Sequence, residues 1–298
     1  MKKKAIREDR LFVFFNGLIL LLLLLIILYP LYYVVIASIS SPTKVAAGET
    51  LLVPRGVNFK AYMRVFKYNS LFRAYKNTIV YTVGGTVINL VLTFMTAYPL
   101  SRKDLWGRGF FSKFFCISLF FQGGIIPLYL VVRGLGLYDS AWALLLIPAI
   151  SMWNVIITRT FLETTIPSEM QEAAQIDGCS NIRTLIQIVL PLSLPIVSVM
   201  AIFYGVQHWN SYFNALIYLS DDAKYPLQIL LRQLLVNEEM NDMLAQATES
   251  TEAFTDQLLI TTTMRYALMV ISSLPIICIY PMVQKHFAKG VMVGAVKG

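Results

Sequence analysis

Two stretches of the sequence carry side chains that could do chemistry. The first, EAAQIDGCSNIRTLIQIVLP at 172–191, places two carboxylates and an arginine between long apolar runs. The second, YGVQHWNSYFNA at 204–215, gathers amides, hydroxyls, a histidine and aromatic rings within an apolar segment. Charged groups beside a glycine suit a docking surface with a turn, and the second set suits hydrogen bonding to a polar ligand.

Motifs for hydrolysis and for nucleotide binding do not occur in the sequence. There is no HExxH zinc helix, no GxSxG elbow and no GxxxxGK[ST] phosphate loop. Cys116, Cys179 and Cys278 form no CxxC pair, and the chain has only two histidines to assist a metal site. We therefore predict that the chain is not an enzyme and binds no metal or other cofactor itself.

The composition indicates a membrane protein. Hydrophobic residues make up 57% of the chain and charged residues 14%. A helix needs about 20 apolar residues to cross a hydrocarbon core of about 30 Å. We predict an all-α polytopic fold with six transmembrane helices, at 11–37, 77–101, 110–132, 140–161, 185–219 and 261–287. The net charge of +8 does not indicate nucleic-acid binding, because the basic residues lie at the ends of the apolar runs.

The positions of Lys and Arg predict the orientation of these spans. Five basic residues lie among the first ten, and SRKDLWGRG supplies three more in a short loop. Since basic residues favour the inner side of the membrane, both chain termini are predicted inside. The resulting map has a basic N-terminus at 1–10, a membrane domain at 11–287, a tail at 288–298, inner loops at 102–109 and 162–184, and outer loops at 38–76, 133–139 and 220–260.

The first chemical stretch predicts a helix, a sharp turn and a second helix. Ser168, with Gln171 three residues later, forms a capping-box pattern that begins a helix. Gly178 tolerates the left-handed backbone that ends a helix, and Ser180 can cap the next one. Pro191, at the start of the fifth span, is predicted to bend that span together with Pro195.

One face of the first short helix is suited to contact with another protein. Four residues share that face at helical spacing: Met170, Ala173, Ala174 and Asp177. The two alanines would allow a second surface to approach closely. The alternative is a packed cytoplasmic loop without a partner.

The fifth span is the candidate lining of a polar pathway. Tyr204, Gln207, His208 and Ser211 share one helical face, and Asn210 and Asn214 lie on a neighbouring face. Polar groups at membrane depth must face protein or water, so a pore-lining role and interhelical hydrogen bonding to another subunit both remain open. The weaker candidates are Trp153, Asn154 and Gln122.

The segment 220–260 has a different character from the other loops. Acidic residues outnumber basic ones there, and its centre spaces five leucines as a helix does: Leu227, Leu230, Leu231, Leu234 and Leu235. The pattern predicts a short amphipathic helix at the membrane surface or against a partner, and an ordinary solvated loop is the alternative.

The spacing in 172–191 also matches a known family pattern. Glu172, Ala173 and Ala174 are followed after three residues by Gly178, and after nine more by Ile188–Pro191. This resembles the EAA loop of the membrane subunits of binding-protein-dependent ABC importers, and most closely that of oligosaccharide permeases. Supporting segments are NFKAYMRVF, AYPLSRK, QGGIIPLYLVV, GLYDSAWALLLIP, HWNSYFNAL and KHFAKGVMVGAVKG.

The resemblance implies a type I importer permease fold in a bacterial cytoplasmic membrane. It implies pairing with a second permease subunit, two copies of a cytoplasmic ATPase that holds ATP and Mg, and an extracytoplasmic sugar-binding protein that delivers an oligosaccharide. In such relatives Glu172 corresponds to the acid that meets the ATPase, Gly178 to the turn, and 290–298 to a tail that reaches toward the ATPase pair. A frayed terminus is the alternative for that tail.

Two other functions remain open on the sequence. An ion-coupled secondary sugar transporter would place carboxylates inside the spans or show inverted repeats, and neither is seen. A non-conducting structural membrane subunit is the second alternative.

Overall fold

In the computed structural model, the described residues are 2–67, 69–121, 123–233, 236, 263–279 and 281, and every regular element among them is helical. The predicted all-α class is therefore confirmed. Gln122, Leu234, Leu235 and the tail 288–298, for which the sequence also makes predictions, lie outside the described residues.

The helices are, in chain order, α1 (Lys2–Ser38), α2 (Pro42–Ala46), α3 (Lys60–Phe66), α4 (Asn69–Ser101), α5 (Arg108–Phe120), α6 (Ile125–Gly134), α7 (Ala141–Leu146), α8 (Met152–Thr165), α9 (Ser168–Ile176), α10 (Asn181–Thr184), α11 (Leu190–Leu192), α12 (Leu194–Trp209), α13 (Phe213–Tyr218), α14 (227–233) and α15 (Thr263–Ile279). A π-helical segment, Leu185–Val189, joins α10 to α11, and a 3-10 turn covers Asp222–Lys224.

The predicted spans agree with the helices only in part. By length and composition, two described helices can cross a membrane unbroken, at Arg10–Ser38 and Ser70–Ser101. Three predicted spans are wrong as continuous helices, because 110–132 divides into α5 and α6, 140–161 into α7 and α8, and 185–219 into the π-helical segment and α11 to α13. The start predicted at 77 is also late, since α4 begins at Asn69.

Proline explains the break between α11 and α12. Pro191 and Pro195 have no N–H to donate, so the helical ladder is interrupted on both sides of Ser193. The Ser193 N–H donates to Val189 O at 2.9 Å, and the chain bends by 86° between Asn181–Leu192 and Leu194–Trp209. The bend predicted from the two prolines is confirmed.

The chain divides into two compact units, Met1–Asn69 with Leu231–Leu274, and Ser70–Leu230 with Pro275–Gly298. In the first unit, the segment after α1 folds back onto the end of that helix. The Tyr32 hydroxyl donates to Leu52 O at 2.6 Å, and the Ser38 hydroxyl lies 2.8 Å from the Tyr62 hydroxyl. The apolar length of α1 is almost entirely exposed, as a helix surrounded by lipid would be.

The second unit holds the chemical stretches and its own apolar core. That core joins α4, α8, the π-helical segment and α12 through these buried side chains: Phe94, Ala97, Tyr98, Leu100, Val155, Leu162, Ile166, Val189, Ile196, Val199, Met200 and Tyr204. The C-terminal part of α4 therefore forms one packed body with the helices that precede and follow α9.

The leucine-rich helix predicted after 226 begins as expected, but its first turn does not face a membrane or a partner. Leu227 is fully buried and Leu230 is 9% exposed within the chain. Ile229 packs with Tyr81 and Leu219 in a second apolar cluster. The surface that covers the start of this helix therefore belongs to the same unit.

Candidate functional site

The helix α9 lies at the centre of the candidate site, and it begins one residue earlier than the capping pattern predicts. Pro167 occupies the N-cap with an extended backbone (φ −60°, ψ 140°), and no side chain caps the helix. The capping box predicted from Ser168 and Gln171 is therefore wrong. Because the proline ring already fixes the chain at the helix start, Ser168 becomes the first helical residue.

The C-terminal turn of α9 is as predicted. Gly178 has φ +75°, where a side chain would be strained. Its N–H donates to Gln175 O at 3.0 Å, and the Cys179 N–H donates to Ala174 O at 2.9 Å. This pair of bonds is a Schellman motif. The Ser180 hydroxyl then caps α10 by accepting the Arg183 N–H at 3.4 Å, which confirms the predicted second cap.

Exposure along α9 separates the predicted docking residues. Met170, Glu172, Ala173 and Asp177 are exposed, as is Gly178. Ala174 is only 5% exposed, because it faces its own unit, so its prediction as a contact with another protein is corrected.

Sequence reasoning missed Ile176 on the same helix. It is 87% exposed. A bare isoleucine in an otherwise polar helix beside the turn is the signal that could have identified it.

Arg102 links the loop after α4 to the segment after α9. Its guanidinium binds Asp104 through both arms, at 2.8 and 2.5 Å, and donates to Tyr98 Oη at 3.2 Å and Asn181 Oδ1 at 3.1 Å. Gln175 of α9 also hydrogen-bonds the Asp104 side chain. We call these five residues the Arg102 cluster.

The ionic bond within the Arg102 cluster shifts both partners' titration. The hydrogen bond from Arg102 lowers the pKa of Asp104, and the hydrogen bond to Asp104 raises the pKa of Arg102. Both groups are therefore charged throughout the physiological range.

A second ionic group holds the segment before α9. Arg108 and Arg159 both donate to Glu163 Oε1, the latter at 2.8 Å, and Arg159 also donates to Ser112 Oγ at 2.9 Å. The Arg108 Nε donates to Leu100 O at 2.9 Å. We call this the Glu163 cluster.

A polar cavity of about 540 Å³ lies between the two clusters and α9. Its charged lining residues are Arg102, Lys103, Asp104, Arg108, Glu163, Glu169 and Glu172. The exposed helix is therefore anchored at both ends yet open along one side.

Two of the predicted pore-lining residues in α12 turn toward α4 instead. The Tyr204 hydroxyl lies 2.6 Å from Thr93 Oγ1, and His208 Nε2 lies 2.6 Å from Asn89 Oδ1. Asn89 Nδ2 donates to Pro148 O in the break between α7 and α8. Since that amide uses its nitrogen as the donor, its oxygen accepts, and His208 carries its proton on Nε2.

These contacts form a polar ladder, which we define as Asn89, Thr93, Tyr204 and His208. All four are buried, with at most 3% exposure. Gly85 makes the ladder possible, because a Cβ atom there would lie 2.3 Å from the His208 ring. The alternative for Tyr204 and His208 was interhelical hydrogen bonding to another subunit, whereas the observed bonds join α4 and α12 within this chain.

The other predicted pore residues line a cleft of about 140 Å³ at the end of α12, together with His208. They are Gln207, Asn210, Ser211 and Asn214, and the remaining lining residues are Pro148, Tyr212 and Phe213. Ser211 does not extend the α12 face as predicted, since that helix ends at Trp209 with Asn210 as its C-cap. Because α12 ends at Trp209, residues of both predicted helical faces line the same cleft. Of the weaker candidates, Asn154 is buried and Trp153 is 64% exposed.

Asp139 organises the opposite end of the second unit. It adopts φ +54°, and its Oδ1 accepts the N–H groups of Ser220 and Asp221 at 2.9 and 3.0 Å. Lys224 Nζ donates to Asp139 Oδ2 at 2.8 Å and to its carbonyl at 2.7 Å. The hydrogen bond from Lys224 lowers the pKa of Asp139, and the same bond raises the pKa of Lys224.

The helix α4 fastens the same loop from its other side. Asn77 Nδ2 donates to the carbonyls of Ala223 and Tyr225 at 2.8 and 3.1 Å, and the Tyr81 hydroxyl donates to Lys224 O at 3.0 Å. With Asp139, these residues make the Asp139 cluster. It joins the two segments predicted as outer loops at 133–139 and 220–260, and the Arg102 and Glu163 clusters join the segments predicted as inner loops.

Metal ligands do not gather in the part of the chain that the structure describes, where no group of three His, Cys, Asp or Glu could hold an ion. The absence of a cofactor in this chain stays a prediction.

Comparisons with known proteins match nearly the whole chain. A family model described as "Binding-protein-dependent transport system inner membrane component" matches residues 70–293. Protein LplC of Bacillus subtilis (strain 168) is 39% identical over 293 residues, covering 97% of this chain and 96% of LplC. The polygalacturonan/rhamnogalacturonan transport system permease protein YtcP of the same organism is 38% identical over 268 residues, covering 89% of this chain and 91% of YtcP.

One solved structure is similar in both sequence and fold. A chain in the crystal structure of a bacterial ABC transporter involved in the import of the acidic polysaccharide alginate is 33% identical to this chain. The TM-score is 0.84, and the match covers 94% of this chain and 98% of that chain.

Proposed function

Because this chain belongs to the family of inner-membrane components of binding-protein-dependent transport systems, we propose that it forms half of the translocation pathway of an ATP-driven sugar importer. The carbohydrate assignment is supported by relatives whose names specify polygalacturonan, rhamnogalacturonan and alginate transport. The family assignment removes the reason to keep an ion-coupled secondary transporter as the alternative.

The proposed assembly contains three kinds of protein partner. A second permease subunit supplies the other half of the pathway, two copies of an ATPase bind on the cytoplasmic side, and an extracytoplasmic binding protein delivers the oligosaccharide. ATP and Mg are held by the ATPase, and this chain supplies no nucleotide site. The proposed location is a bacterial cytoplasmic membrane, with six spans, both termini and α9 inside, and the lipid bilayer around the spans.

The exposed helix α9, anchored at both ends, is the observation that carries the coupling role. A helix of nine residues cannot bury both its faces without a partner, and α9 presents Met170, Glu172, Ala173 and Asp177 outward. The small Ala173 allows a partner surface to come close, and Glu172 offers it a charge. We assign this face, with the Gly178 turn, to contact with the ATPase.

Anchoring at both ends would let α9 act as a lever. The Schellman turn and the Ser180 cap give a stiff joint into α10, from which the chain runs through the π-helical segment to the bend at Ser193. Closure of the ATPase pair would displace α9, and the joint would carry that displacement to α12 and switch the pathway between its two openings.

The cleft at the end of α12 is the proposed place where this chain faces the sugar. Its polar lining side chains are uncharged amides and a hydroxyl, with aromatic residues beside them, which matches the hydroxyls and apolar faces of a sugar ring. Gln207 and Asn210 are its exposed donors, whereas His208 supports the wall through Asn89.

Gly178→Pro tests the coupling role directly. Proline fixes φ near −65° and removes the N–H that bonds Gln175 O, so the turn at φ +75° cannot form. We expect the variant to insert in the membrane but to retain less than about a tenth of the co-purified ATPase and of the sugar uptake, if this contact contributes about 1.4 kcal/mol or more.

Gly48→Pro is the matched control. Gly48 also has a left-handed φ, of +71°, and its N–H also closes a turn, but it lies in the first unit, outside α9. Its complex should keep the ATPase. Normal ATPase binding and uptake in the Gly178 variant would refute the proposed role of α9.

A further inference from the structure

The turn between α9 and α10 is complete without Arg102. Gly178 ends α9 through backbone bonds, and Ser180 caps α10 through its own hydroxyl. The bond from Arg102 to Asn181 Oδ1 therefore adds nothing to the local turn. What it adds is a connection to α4, 79 positions earlier in the chain.

Arg102 is held too tightly to be a loosely solvated arginine. Its side chain is only 9% exposed, and both arms of the guanidinium are engaged by Asp104. Its Cζ atom also lies 5.9 Å from the Tyr98 ring centre. A planar fork fixed in this way keeps its remaining nitrogen, Nη1, directed at Tyr98 Oη and Asn181 Oδ1, which a flexible ammonium would not do.

The Glu163 cluster makes a similar connection on the other side of α9. Arg108 joins Glu163 of α8 to the Leu100 carbonyl in the last turn of α4. Both segments flanking α9 are therefore tied to the end of α4.

The helix α4 continues from this end to the polar ladder. Asn89 and Thr93 lie on the same unbroken helix as Tyr98 and bind His208 and Tyr204 of α12. His208 in turn lines the cleft. A displacement of the end of α4 would therefore reach the cleft wall through buried hydrogen bonds, independently of the bend at Ser193.

We propose that Arg102 is a positioning residue that transmits the movement of α9 to α4, through Asn181, and from α4 to the wall of the cleft. This inference rests on the proposed function of α9 as the contact with the ATPase. It adds a second mechanical path beside the one through α10 and α12.

The test uses the complete transporter in proteoliposomes, with its second permease, ATPase and binding protein. Asn181→Ala removes the acceptor while leaving the Arg102–Asp104 pair in place. We expect the variant to co-purify normal amounts of ATPase, while stimulation of ATP hydrolysis by the loaded binding protein and sugar uptake fall about tenfold, within the usual range of coupling energies.

Two companion variants separate transmission from a merely structural effect. Asn181→Asp keeps an acceptor for the Arg102 guanidinium and should restore stimulation to within about twofold of the wild type, since charge-assisted bonds are at least as strong. Arg183→Gln is the matched control, because Arg183 is exposed on the same short helix and its Nε donates to Gln187 Oε1. It should behave as the wild type.

Three results would overturn the proposal: normal stimulation in Asn181→Ala, equal defects in Asn181→Ala and Asn181→Asp, or loss of the ATPase from the Asn181→Ala complex. The last result would make Asn181 part of the docking surface. Ala173→Glu in the same preparation distinguishes the two levels. If it also keeps ATPase and uptake, the role of α9 itself has failed, whereas a defective Ala173→Glu beside a normal Asn181→Ala refutes only the transmission by Arg102.

Discussion

The Arg102 and Asp139 clusters contain similar ion pairs but hold different kinds of segment in place. At the Asp139 cluster, the side chains bind mostly backbone groups of 220–225, and the loop continues into the fully buried Leu227. At the Arg102 cluster, the contacts are between side chains, and the neighbouring Ile176 is 87% exposed. The first arrangement closes a loop onto its own unit, and the second holds in place an exposed helix that we propose contacts the ATPase.

The two clusters should therefore differ in how they tolerate amino-acid substitutions. Backbone acceptors cannot be removed by substitution, so a single substitution at the Asp139 cluster should disorder its loop only in part. Side-chain acceptors such as Asn181 can be removed singly, so the function of the Arg102 end should be lost at single positions.

Ala173→Glu should have the largest effect. It places a larger charged side chain on the exposed face of α9, where we propose close contact with the ATPase. We expect loss of ATPase co-purification and at least a hundredfold fall in sugar uptake, as about 3 kcal/mol of lost contact would produce. Ala223→Glu is the matched control, because Ala223 is equally exposed in the Asp139 cluster and contributes its backbone carbonyl. Equal loss in both variants would contradict the contrast.

Gly85→Ala should destabilise the packing that lies between the two clusters. Its new methyl group would meet the His208 ring at 2.3 Å, so the polar ladder must shift. Overpacking of this kind costs about 1–3 kcal/mol, which should lower the melting temperature of the detergent-solubilised protein by a few degrees.

Gly84→Ala provides the control for that measurement. Its Cβ would lie 3.9 Å from the nearest Leu145 atom, an ordinary contact, on the same helix and one position away. Its melting temperature should be unchanged or slightly higher, because alanine favours a helix over glycine by about 1 kcal/mol. A lower melting temperature for Gly84→Ala than for Gly85→Ala would show that the ladder does not depend on Gly85.

Asp139 substitutions should have the smallest effect. Asp139→Ala removes the acceptor of two N–H groups, so amide exchange at Ser220 and Asp221 should accelerate roughly tenfold. Asp139→Asn keeps that acceptor and a side chain that tolerates the left-handed backbone, and it loses only the ion pair with Lys224. It should accelerate exchange by no more than about threefold, the range of exposed ion pairs. Similar exchange in the two variants would show that the ion pair, and not the backbone bonding, closes the loop.

The pH dependence of the same exchange follows from the lowered pKa of Asp139. A carboxyl whose pKa is lower in the folded state stabilises above its ordinary pKa of about 3.9, and that contribution is lost as the pH falls through the folded value. After correction for intrinsic exchange, protection of Ser220 should therefore stay constant from pH 8 to pH 5. A decline in that interval would mean that Asp139 is not held charged by Lys224.

The sequence was sufficient for features whose physical cause is local. Apolar runs predicted helices, because every backbone group in lipid must be satisfied within its own segment. Gly178 predicted the turn because a left-handed backbone favours glycine, and Ser180 predicted the next cap because its hydroxyl reaches an N–H three residues away. The spacing of Glu172 and Gly178 also sufficed for the family resemblance.

The tertiary structure decided everything that depends on which surface faces which. Periodicity placed Ala173 and Ala174 on one face of α9, but only packing shows that Ala174 is covered and Ala173 is not. In the same way, α12 has polar groups on several sides, and only the position of α4 turns His208 toward Asn89 and leaves Gln207 at the cleft. Local propensity acts over one or two turns of helix, whereas the burial of a side chain is set by a neighbour that is distant in the chain. The bond between Arg102 and Asn181 therefore has no signature in the sequence of either segment.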